Sequence, residues 1–523
     1  MTSPEPSPGP HEPLFGHDHS YWRDTVPPAD LPPALGPADV DVLVVGGGIL
    51  GLTTAILAAE AGLDVVVLEA RELASGTTGG TTGKLTSQNG TRLLQLRQRF
   101  GDTGAATYAT ATERGIVVFD ELTERYGIDC DQETAPAHLV ALSSDQDDQI
   151  LGEADASRAA GLRVVMDAEL PELGFPVSRS LSVPDQRQMH AVKHVHGLAR
   201  AVGSLGGRVH ERSRVVDVER ATGTRRWRVR TERAEITADH IVLATRLPTH
   251  RDSAITFGRS KPMSSVGLAA RMEGPAPKGM YLLQGERTWS IRGSRAGAVG
   301  EHLVAVGVGA STGDAEALSD RTGRLEAWTR EHFPIGAVEH VWMAQDQQPA
   351  DGRPLVGSLW GDGIWTATGF GKWGLAAGTA AAEMLVRAVT GQADPYQGFF
   401  TTTRVEPPSG WQTLLRANLR VGALFAGDRL RSLPRGITDL DRGDGRVVRR
   451  GRTPIAVSRD DDGHLHAVSA TCTHLGCLVR WNRQDRTWDC GCHGSRFAPD
   501  GEVLEAPATA ALRPVEPPTT GNG

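Results

Sequence analysis

The first clear hydrophobic pattern in the chain predicts a strand, a helix and a second strand in succession. Residues 41–48 (DVLVVGGG) form a short apolar run that ends in three glycines. Residues 49–62 (ILGLTTAILAAEAG) are rich in alanine, carry apolar side chains at helical spacing and end at Gly62, a residue suited to cap a helix. Residues 63–70 (LDVVVLEA) are again apolar. This order predicts the start of a βαβ fold.

Alternating strand and helix patterns continue to about residue 390. Residues 238–245 (ADHIVLAT), 302–309 (HLVAVGVG) and 363–371 (GIWTATGFG) are predicted to be strands that run into turns. Residues 1–39 lack such a pattern and contain many prolines. They are predicted to be a proline-rich N-terminal tail, or a surface strap that Trp22 anchors.

The pattern changes twice in the last quarter of the chain. Residues 396–435 contain the breaker sequences DPYQGFF (in part) and VEPPSG, and residues 411–430 have the apolar spacing of an amphipathic helix. We therefore predict a helical connector over 396–435. From residue 436 to 515 only short strand patterns occur, which predicts a small all-β module, followed by a tail over 516–523.

Composition narrows the classes of protein. A length of 523 residues suggests roughly three domains. The net charge of −8 and the lack of a basic run argue against a nucleic-acid partner. No apolar run approaches the ~20 residues that span a bilayer, and the N-terminus does not resemble a signal peptide, so we expect a cytoplasmic protein without stable membrane insertion. Its five cysteines are then expected to be ligands or redox groups.

A nucleotide site is predicted at the first strand-to-helix turn. Gly46, Gly48 and Gly51 match the pattern G-x-G-x-x-G between a predicted strand and a predicted helix. Glycines let the backbone approach a pyrophosphate, which the helix N-terminus attracts. Glu69 ends the second strand, where a carboxylate can accept the two hydroxyls of an adenosine ribose. A second copy of the pattern is missing.

Several further segments resemble the FAD-dependent D-amino-acid oxidase/glycine oxidase (DAO) superfamily. They are residues 69–86 (EARELASGTTGGTTGKLT), 189–201 (MHAVKHVHGLARA), 238–245 (ADHIVLAT), 342–357 (WMAQDQQPADGRPLVG) and 363–385 (GIWTATGFGKWGLAAGTAAAEML). The resemblance covers about residues 40–395. It implies an FAD-binding region over about 40–90, 185–250 and 345–395, and a substrate region over about 91–184 and 251–344.

The same resemblance implies which residues lie beside the FAD. The expected neighbours are Gly46, Gly48, Gly51, Glu69, Asp351, Gly369 and Gly371. It also places Arg292 where these enzymes often hold a substrate carboxylate, which a bidentate guanidinium suits. Lys84 and Lys372 lie in glycine loops expected near the flavin, where a cation could stabilise the reduced ring or serve oxygen reactivity. A surface role for Arg292 is the alternative.

Three histidines raise a separate possibility of a mononuclear iron site. His190, His194 and His196 lie close in sequence, and such a site needs two histidines and a carboxylate. Asp185 lies five residues before His190, which does not match the D-x-x-H-x-x-x-x-H spacing of ring-hydroxylating oxygenases. Ordinary histidines on a helix surface are the prediction.

Four of the five cysteines lie between residues 472 and 492. Two pairs, Cys472 with His474 and Cys490 with His493, offer two thiolates and two imidazoles. Zinc accepts such a set tetrahedrally, and a Rieske [2Fe–2S] centre binds one iron through the cysteines and the other through the histidines. Zinc gives no reason for Cys477 and Cys492. Cys130 has no partner in sequence and is expected to be an incidental or buried thiol.

The two cysteine boxes resemble those of the Rieske proteins of cytochrome bc complexes. The boxes read CTHLGC and CGCHGS, and the resemblance extends over about residues 436–515. It implies a disulfide between Cys477 and Cys492, and histidine edges that face solvent. Two positions depart from the family: Gly491 stands where proline is usual, and Phe497 replaces the tyrosine of high-potential members. Ser495 keeps its hydroxyl. Because Phe497 has no hydroxyl to donate, we expect a lowered cluster potential.

Together these features predict an α/β FAD-binding Rossmann-like domain with a DAO-type α+β substrate domain, plus a C-terminal all-β Rieske domain. A flavin takes two electrons as a hydride and a Rieske cluster takes one. The expected function is a dehydrogenase that oxidises a small amine or amino-acid-like substrate and passes electrons through the cluster to a protein acceptor. The alternatives are an electron-transfer flavoprotein without a small-molecule substrate, and a peroxide-forming oxidase whose cluster is structural.

Overall fold

The computed structural model describes most of the chain. It covers residues 19–223, 225–249, 258–295, 300–313, 321–359, 363–404, 437, 440–451 and 453–517. The amphipathic helix predicted over residues 411–430 lies outside the described residues. None of the helices within these ranges is both long and apolar enough to cross a membrane.

The described helices are distributed through the first 400 residues. They are α1 (Tyr21–Asp24), α2 (Ile49–Glu60), α3 (Arg92–Arg125), α4 (Asp147–Ala159), α5 (Ala191–Ser204), α6 (Arg321–His332), α7 (Gly374–Val389) and α8 (Gln397–Phe400). Helix α3 is kinked at Gly101, whose φ of 71° is left-handed.

The strands fall into three stretches of the chain. The first stretch contains β1 (Gly36–Val45), β2 (Val65–Leu68), β3 (Lys84–Leu85), β4 (Glu133–Ala141), β5 (Val165–Met166), β6 (Arg179–Gln188), β7 (Arg208–His210), β8 (Asp217–Arg220), β9 (Trp227–Arg230) and β10 (Ala234–Leu243). The second contains β11 (Ser260–Met272), β12 (Met280–Gln284), β13 (Thr288–Ser294), β14 (His302–Ser311), β15 (Ile335–Pro349), β16 (Leu355–Ser358) and β17 (Ile364–Thr368). The third contains β18 (Gly445–Arg450), β19 (Thr453–Arg459), β20 (Leu465–Ser469), β21 (Val479–Asn482), β22 (Thr487–Cys490), β23 (Arg496–Phe497) and β24 (Val503–Glu505).

The first sheet has a parallel centre. Its strand order is β16-β17-β10-β1-β2-β7, and the five strands from β17 to β7 are parallel. Strand β9 pairs with β10 in the antiparallel direction, and β8 pairs with β9. Strand β2 and the carboxyl-terminal ends of β1 (Val42–Val45) and β10 (Ile241–Leu243) are buried, which explains the continuous apolar sequence of these segments. Helices α2, α5 and α7 pack together over this sheet. The carboxyl ends of its parallel strands therefore meet at one edge, where such sheets bind ligands.

The second sheet is mainly antiparallel and stands over that edge. Its order is β15-β11-β14-β13-β12-β4-β6-β3, with β5 beside β6. On β13, Trp289 and Ile291 point into a core shared with helix α6, which leaves Thr288, Ser290 and Arg292 on the opposite face. That opposite face is turned towards the first sheet.

The C-terminal module consists of two small antiparallel sheets. The orders are β18-β19-β20 and β21-β22-β23-β24. Their shared core contains Trp488, Phe497 and the four clustered cysteines. The turns between β20 and β21, and between β22 and β23, carry the two cysteine boxes, so the fold brings the boxes side by side.

The N-terminal strap, residues 19–35, is anchored by two buried aromatic side chains. Tyr21 and Trp22 have no exposed surface, and the indole Nε1 of Trp22 donates to the carbonyl of Thr81 at 2.6 Å. The anchoring role expected of Trp22 therefore has a physical basis in the structure.

Candidate functional site

A cavity of about 510 Å³ lies between the two large sheets. One wall consists of the loops after β1, β2, β10 and β17, and the opposite wall consists of side chains from β11 to β15. A third part of the lining, residues 504–506, 508 and 509, comes from the C-terminal module. The volume is within the usual range of about 300–1,000 Å³ for ligand and cofactor sites.

The glycines at the first turn permit close backbone packing. Gly46 has a φ of 117°, and a Cβ built on it would lie 2.6 Å from the carbonyl oxygen of Ala244. A Cβ on Gly51 would lie 1.9 Å from the carbonyl oxygen of Gly46. Gly46 and Gly48 line the cavity, whereas Gly51 is not among its lining residues and instead packs helix α2 against the turn. Any side chain at Gly46 or Gly51 would displace backbone.

Glu69 lies in the cavity wall beside this turn. Its carboxylate accepts the backbone N–H of Gly47 at 2.7 Å and that of Arg71 at 2.9 Å. Each oxygen accepts one bond and retains a second lone pair. The carboxylate is therefore held in place by backbone donors and can still accept hydroxyl groups from a nucleotide ribose.

The opposite end of the cavity lies where β17 leads into helix α7. Gly369, Gly371 and Lys372 line it, with φ values of 77°, 57° and 77°. A Cβ on Gly371 would lie 2.4 Å from Oε1 of Gln348. Burial lowers the pKa of Lys372, and its backbone N–H donates to Asp346. The left-handed backbone at these three positions turns the chain tightly under the cavity.

Several buried polar atoms in the cavity lining have no protein partner within the described residues. They are Oδ1 of Asn89, Nη1 of Arg246, Oε1 of Gln345 and Oε1 of Gln348. Buried polar groups are normally hydrogen-bonded, so such atoms mark where a polar ligand binds. A glycine turn at a helix N-terminus, the Glu69 carboxylate and these atoms together fit FAD.

Asp351 lies outside this lining. Its Oδ2 is 2.7 Å from Nη2 of Arg353 and 2.9 Å from Nε of Arg404. Burial acts to raise the pKa of Asp351, but the two guanidinium groups outweigh burial and hold the pKa below its usual value. The structure thus places Asp351 in a buried ion-pair cluster that ties residue 404 to the first sheet, apart from the cavity.

Arg292 and Lys84 also lie behind the cavity wall. Arg292 is 3% exposed, donates to the carbonyl of Gly83 at 3.1 Å and lies 4.9 Å from the ring centre of Trp22. Lys84 Nζ donates to the carbonyl of Tyr281 at 2.6 Å and to Oγ of Ser290 at 2.8 Å. Burial lowers the pKa of both groups, to about 10 for Arg292. Of the three cations predicted near the flavin, Lys84, Arg292 and Lys372, only Lys372 lines the cavity. Lys84 instead supports Ser290, which is a lining residue.

The histidines at the start of α5 are buried, and the prediction of surface histidines is wrong for two of them. His190 caps the helix by accepting the N–H of Lys193 at 3.3 Å, and its Nε2 lies 3.0 Å from Oγ1 of Thr25. His194 lies in the core, 4.4 Å from the ring of Phe119. Burial lowers the pKa of each to about 3, so both are neutral at physiological pH.

The two cysteine boxes bring the expected cluster ligands together. The thiols of Cys472 and Cys490 are hydrogen-bonded, which lowers the pKa of Cys472 to about 7 and raises that of Cys490. The rings of His474 and His493 lie 5.0 Å apart, edge to face. Burial lowers the pKa of both imidazoles to about 4, so they are neutral, as metal binding requires. Two cysteines and two neutral imidazoles on adjacent turns fit a Rieske cluster.

Cys477 and Cys492 form a disulfide that joins the two boxes. Their sulfurs lie within 4.8 Å of Sγ of Cys490, but a sulfur in a disulfide is no thiolate ligand. Ser495 Oγ accepts the N–H of Ala508 at 3.0 Å and also hydrogen-bonds to Cys472. Phe497 is fully buried in the module core.

The histidine edges do not both face solvent, contrary to expectation. His474 is half-buried, and the next residue, Leu475, is 57% exposed. His493 is 8% exposed because the first domain covers its turn. The adjacent Gly494 lies so near that domain that a Cβ on it would come within 2.8 Å of Pro262 and Gln345.

The contact between the module and the cavity involves residues that the sequence analysis did not identify. Gln345 Nε2 donates to the carbonyl of Gly494 at 2.8 Å and to Glu505 Oε2 at 2.9 Å. Arg246 Nη2 donates to the carbonyls of Gly494 at 3.2 Å and Ala506 at 2.7 Å. The position of Arg246, directly after the strand end VLAT, could have identified it as a residue near the cavity. Gln345 and Arg246 both line the cavity.

Known proteins match both parts of the chain. Residues 41–388 match the family model described as FAD dependent oxidoreductase (DAO), and residues 435–516 match that of the Rieske [2Fe-2S] domain. The Bacillus subtilis protein YhfW, named as a Rieske 2Fe-2S iron-sulfur protein, is 30% identical over 502 residues, which is 95% of this chain and 97% of that protein.

Two further matches concern the first domain. Gamma-glutamylputrescine oxidoreductase of Escherichia coli is 30% identical over 214 residues, which is 39% of this chain and 48% of that protein. The solved structure of glycine oxidase from Geobacillus kaustophilus has a TM-score of 0.59 and 18% identity, and covers 71% of this chain and 100% of that chain. That structure has the same fold as the region from the first sheet to α7. The chain belongs to the DAO family of FAD-dependent oxidoreductases, carries a C-terminal Rieske domain, and has FAD and a [2Fe–2S] cluster as its cofactors.

Proposed function

We propose that the protein is a dehydrogenase that oxidises a small amine or amino-acid-like substrate and passes the electrons, one at a time, through the Rieske cluster to a protein acceptor. Bound FAD accepts a hydride and the cluster accepts single electrons. The observation that carries the proposal is the contact at Gly494. This residue follows the cluster ligand His493 and is hydrogen-bonded to Gln345 and Arg246, which both line the FAD cavity.

The substrate would bind on the second-sheet side of the cavity. There, Gln284, Thr288 and Ser290 present neutral polar side chains, and Lys372 supplies a cation from the opposite wall. Hydroxyl and amide groups can orient an amine by hydrogen bonds. The E. coli relative is named for gamma-glutamylputrescine, which supports an amine as the substrate class.

The roles proposed for site residues follow from their positions. Gly46, Gly48 and Glu69 would hold the nucleotide end of FAD, and Gly369, Gly371 and Lys372 would face its ring. Cys472, Cys490, His474 and His493 would hold the cluster. Because Arg292 and Lys84 lie behind the wall, they would support Ser290 and the glycine loop rather than bind the substrate directly.

The two cluster histidines would divide the electron path between them. His493 is buried against the FAD domain, so it would be the entry side. His474 is half-buried beside the exposed Leu475, so it would be the exit towards an external acceptor.

Anaerobic mixing with a panel of amines and amino acids, beginning with gamma-glutamylputrescine, tests the proposal. Bleaching of the flavin followed by the electron paramagnetic resonance (EPR) signal of a reduced cluster is expected. In the variant Cys472→Ser, which loses a ligand, bleaching should persist without the cluster signal. Cys130→Ser is the matched control because Cys130 is buried away from both boxes.

Two other outcomes would reject the proposal. If no substrate bleaches the flavin while a reduced ferredoxin-like protein reduces both centres, the protein is an electron-transfer flavoprotein. If peroxide forms in air at the same rate in the wild type and in His493→Ala, it is an oxidase with a structural cluster.

A further inference from the structure

The cavity that fits FAD is closed on one side by the Rieske domain. Leu504, Glu505, Ala506, Ala508 and Thr509 all belong to its lining. A cofactor bound there would therefore be enclosed by residues from both domains. Whatever holds the Rieske domain in place would also limit the escape of FAD.

A single carboxylate connects the two sides of this closure. Glu505 Oε2 lies 3.2 Å from Nη2 of Arg246 and accepts Nε2 of Gln345 at 2.9 Å, and both partners belong to the FAD domain. Its other oxygen, Oε1, accepts Nη1 of Arg496 at 2.9 Å within the Rieske domain. Glu505 is thus shared between the domains.

Arg496 extends the connection to the cluster boxes. It is buried, lies 3.0 Å from Oδ1 of Asp489, and is also paired with Asp485. Asp489 immediately precedes the ligand Cys490, and Arg496 lies three residues after the ligand His493. The charges from the cavity wall to the second cysteine box form one buried chain.

The guanidinium of Arg246, a residue that lines the cavity, has a further donor. Its Nη1 is buried and has no partner within the described part of the chain, although Nη2 is fully used by the Rieske domain. Burial lowers the pKa of Arg246, so the charge needs anionic partners. Burial acts to raise the pKa of Glu505, but Arg246 and Arg496 outweigh it and keep the carboxylate ionised.

We propose that Glu505 is a positioning residue that fixes the Rieske domain over the FAD cavity and thereby retains the FAD. Removing its charge leaves Arg246 and Arg496 buried with fewer anionic partners, and the loss of such bonds weakens the closure. The inference requires no substrate and no electron path, so it stands or falls independently of the proposed dehydrogenase activity.

The test compares full-length holoprotein with the variant Glu505→Gln. The release of FAD after dilution is followed by flavin fluorescence, and the reduced-cluster EPR signal verifies that the Rieske domain is intact. We expect release to be about tenfold faster or more, because charge-assisted hydrogen bonds are lost. The matched control is Glu502→Gln, the same change at an exposed position three residues earlier, and it should release FAD at the wild-type rate.

A second measurement separates positioning from general loss of stability. Without the carboxylate, a net negative charge is lost beside Arg246 and Arg496, which favours the reduced cluster, so its midpoint potential should rise in Glu505→Gln. Glu505→Asp, which keeps the charge but is shorter, should restore most of the potential and give an intermediate rate of FAD release. If Glu505→Gln is purified without its cluster, the release of FAD is measured in Glu505→Asp instead. Wild-type FAD release in the tested variant with an intact cluster overturns the proposal.

Discussion

Gly313 and Gly491 approach each other across the interface between the FAD domain and the Rieske domain. A Cβ built on Gly313 would lie 2.6 Å from both Cα and the backbone nitrogen of Gly491. The carbonyl of Gly313 also accepts Nη1 of Arg480 at 3.1 Å. Gly491 is the position where related Rieske boxes carry proline. A proline at residue 491 would carry its ring on these same two backbone atoms, Cα and the nitrogen, which face Gly313.

The first prediction tests this contact with Gly313→Ala. The added methyl group would push against the backbone of the second cysteine box, and overpacking of this kind typically costs about 1–3 kcal/mol. We expect a lower urea midpoint when unfolding is followed by the visible absorbance of the cluster.

The control is Gly300→Ala, which separates contact from backbone strain. Gly300 has a φ of 82° and Gly313 one of 73°, so alanine is strained at both positions, but a Cβ on Gly300 meets nothing within 4 Å. Equal loss of stability in the two variants would show that the contact with Gly491 contributes nothing.

The second prediction concerns the anchor of the N-terminal strap. Trp22→Ala removes a fully buried side chain, its hydrogen bond to Thr81 and its contacts with Arg292 and His190. Replacing a buried tryptophan by alanine usually costs about 3–5 kcal/mol of unfolding free energy. Urea unfolding followed by flavin fluorescence should show this loss. Leu35→Ala, at a side chain that is 71% exposed, should change little, and a wild-type midpoint for Trp22→Ala would contradict the anchoring role.

The third prediction is that acid destabilises the FAD domain through its buried histidines. Burial lowers the pKa of His194 to about 3, against an ordinary value of 6.5, so the unfolded chain binds the proton more readily. The stability that depends on neutral His194 is fully present above about pH 6.5 and declines as the pH falls towards 3. Between pH 7 and pH 5 this one group should account for about 2 kcal/mol.

Comparing unfolding at the two pH values checks this prediction. His194→Leu should lose less stability than the wild type on acidification. His464→Leu, at a side chain that is 76% exposed, should lose as much as the wild type. Identical pH dependence in His194→Leu and the wild type would assign the acid sensitivity to other groups.

Local patterns were sufficient to predict the backbone of the cofactor sites. The glycines at 46, 48 and 51 and the acidic end of β2 are close in sequence, and their geometry depends on one turn. The cysteine boxes are likewise short, so spacing and resemblance were sufficient to predict which four residues would hold the cluster. Both kinds of motif depend on few residues and little tertiary context.

Positions that depend on distant partners could not be predicted in the same way. Asp351 has the expected sequence context, but Arg404 lies 53 residues further on and its guanidinium engages the carboxylate. The pairing of Arg246 with Glu505 joins residues from two domains and follows no periodicity. The burial of His194 had a signal that was missed: Leu198 lies four residues later on the same buried helix face.

The fourth prediction concerns the electronic effect of Phe497 on the cluster. Phe497 is buried two residues after Ser495, whose hydroxyl hydrogen-bonds to Cys472, one of the proposed ligands. Phe497→Tyr introduces a hydroxyl that can donate towards the cluster sulfurs, and such donors stabilise the reduced state. A hydrogen bond of about 1.4 kcal/mol corresponds to roughly 60 mV for a one-electron couple, so the midpoint potential should rise by about that amount.

Redox titration monitored by EPR measures this shift. One further variant tests the opposite change in the midpoint potential, and another serves as the control. Ser495→Ala removes a hydroxyl that is already present, so it should lower the potential. Phe400→Tyr makes the same substitution at a buried phenylalanine that packs into the core of the FAD domain, and it should leave the potential unchanged. A potential in Phe497→Tyr equal to or below that of the wild type would mean that the missing hydroxyl does not set the cluster potential. In that case the buried charges of Arg496 and Glu505 would be the next groups to vary, because Arg496 is paired both with Glu505 and with Asp489, the residue before Cys490.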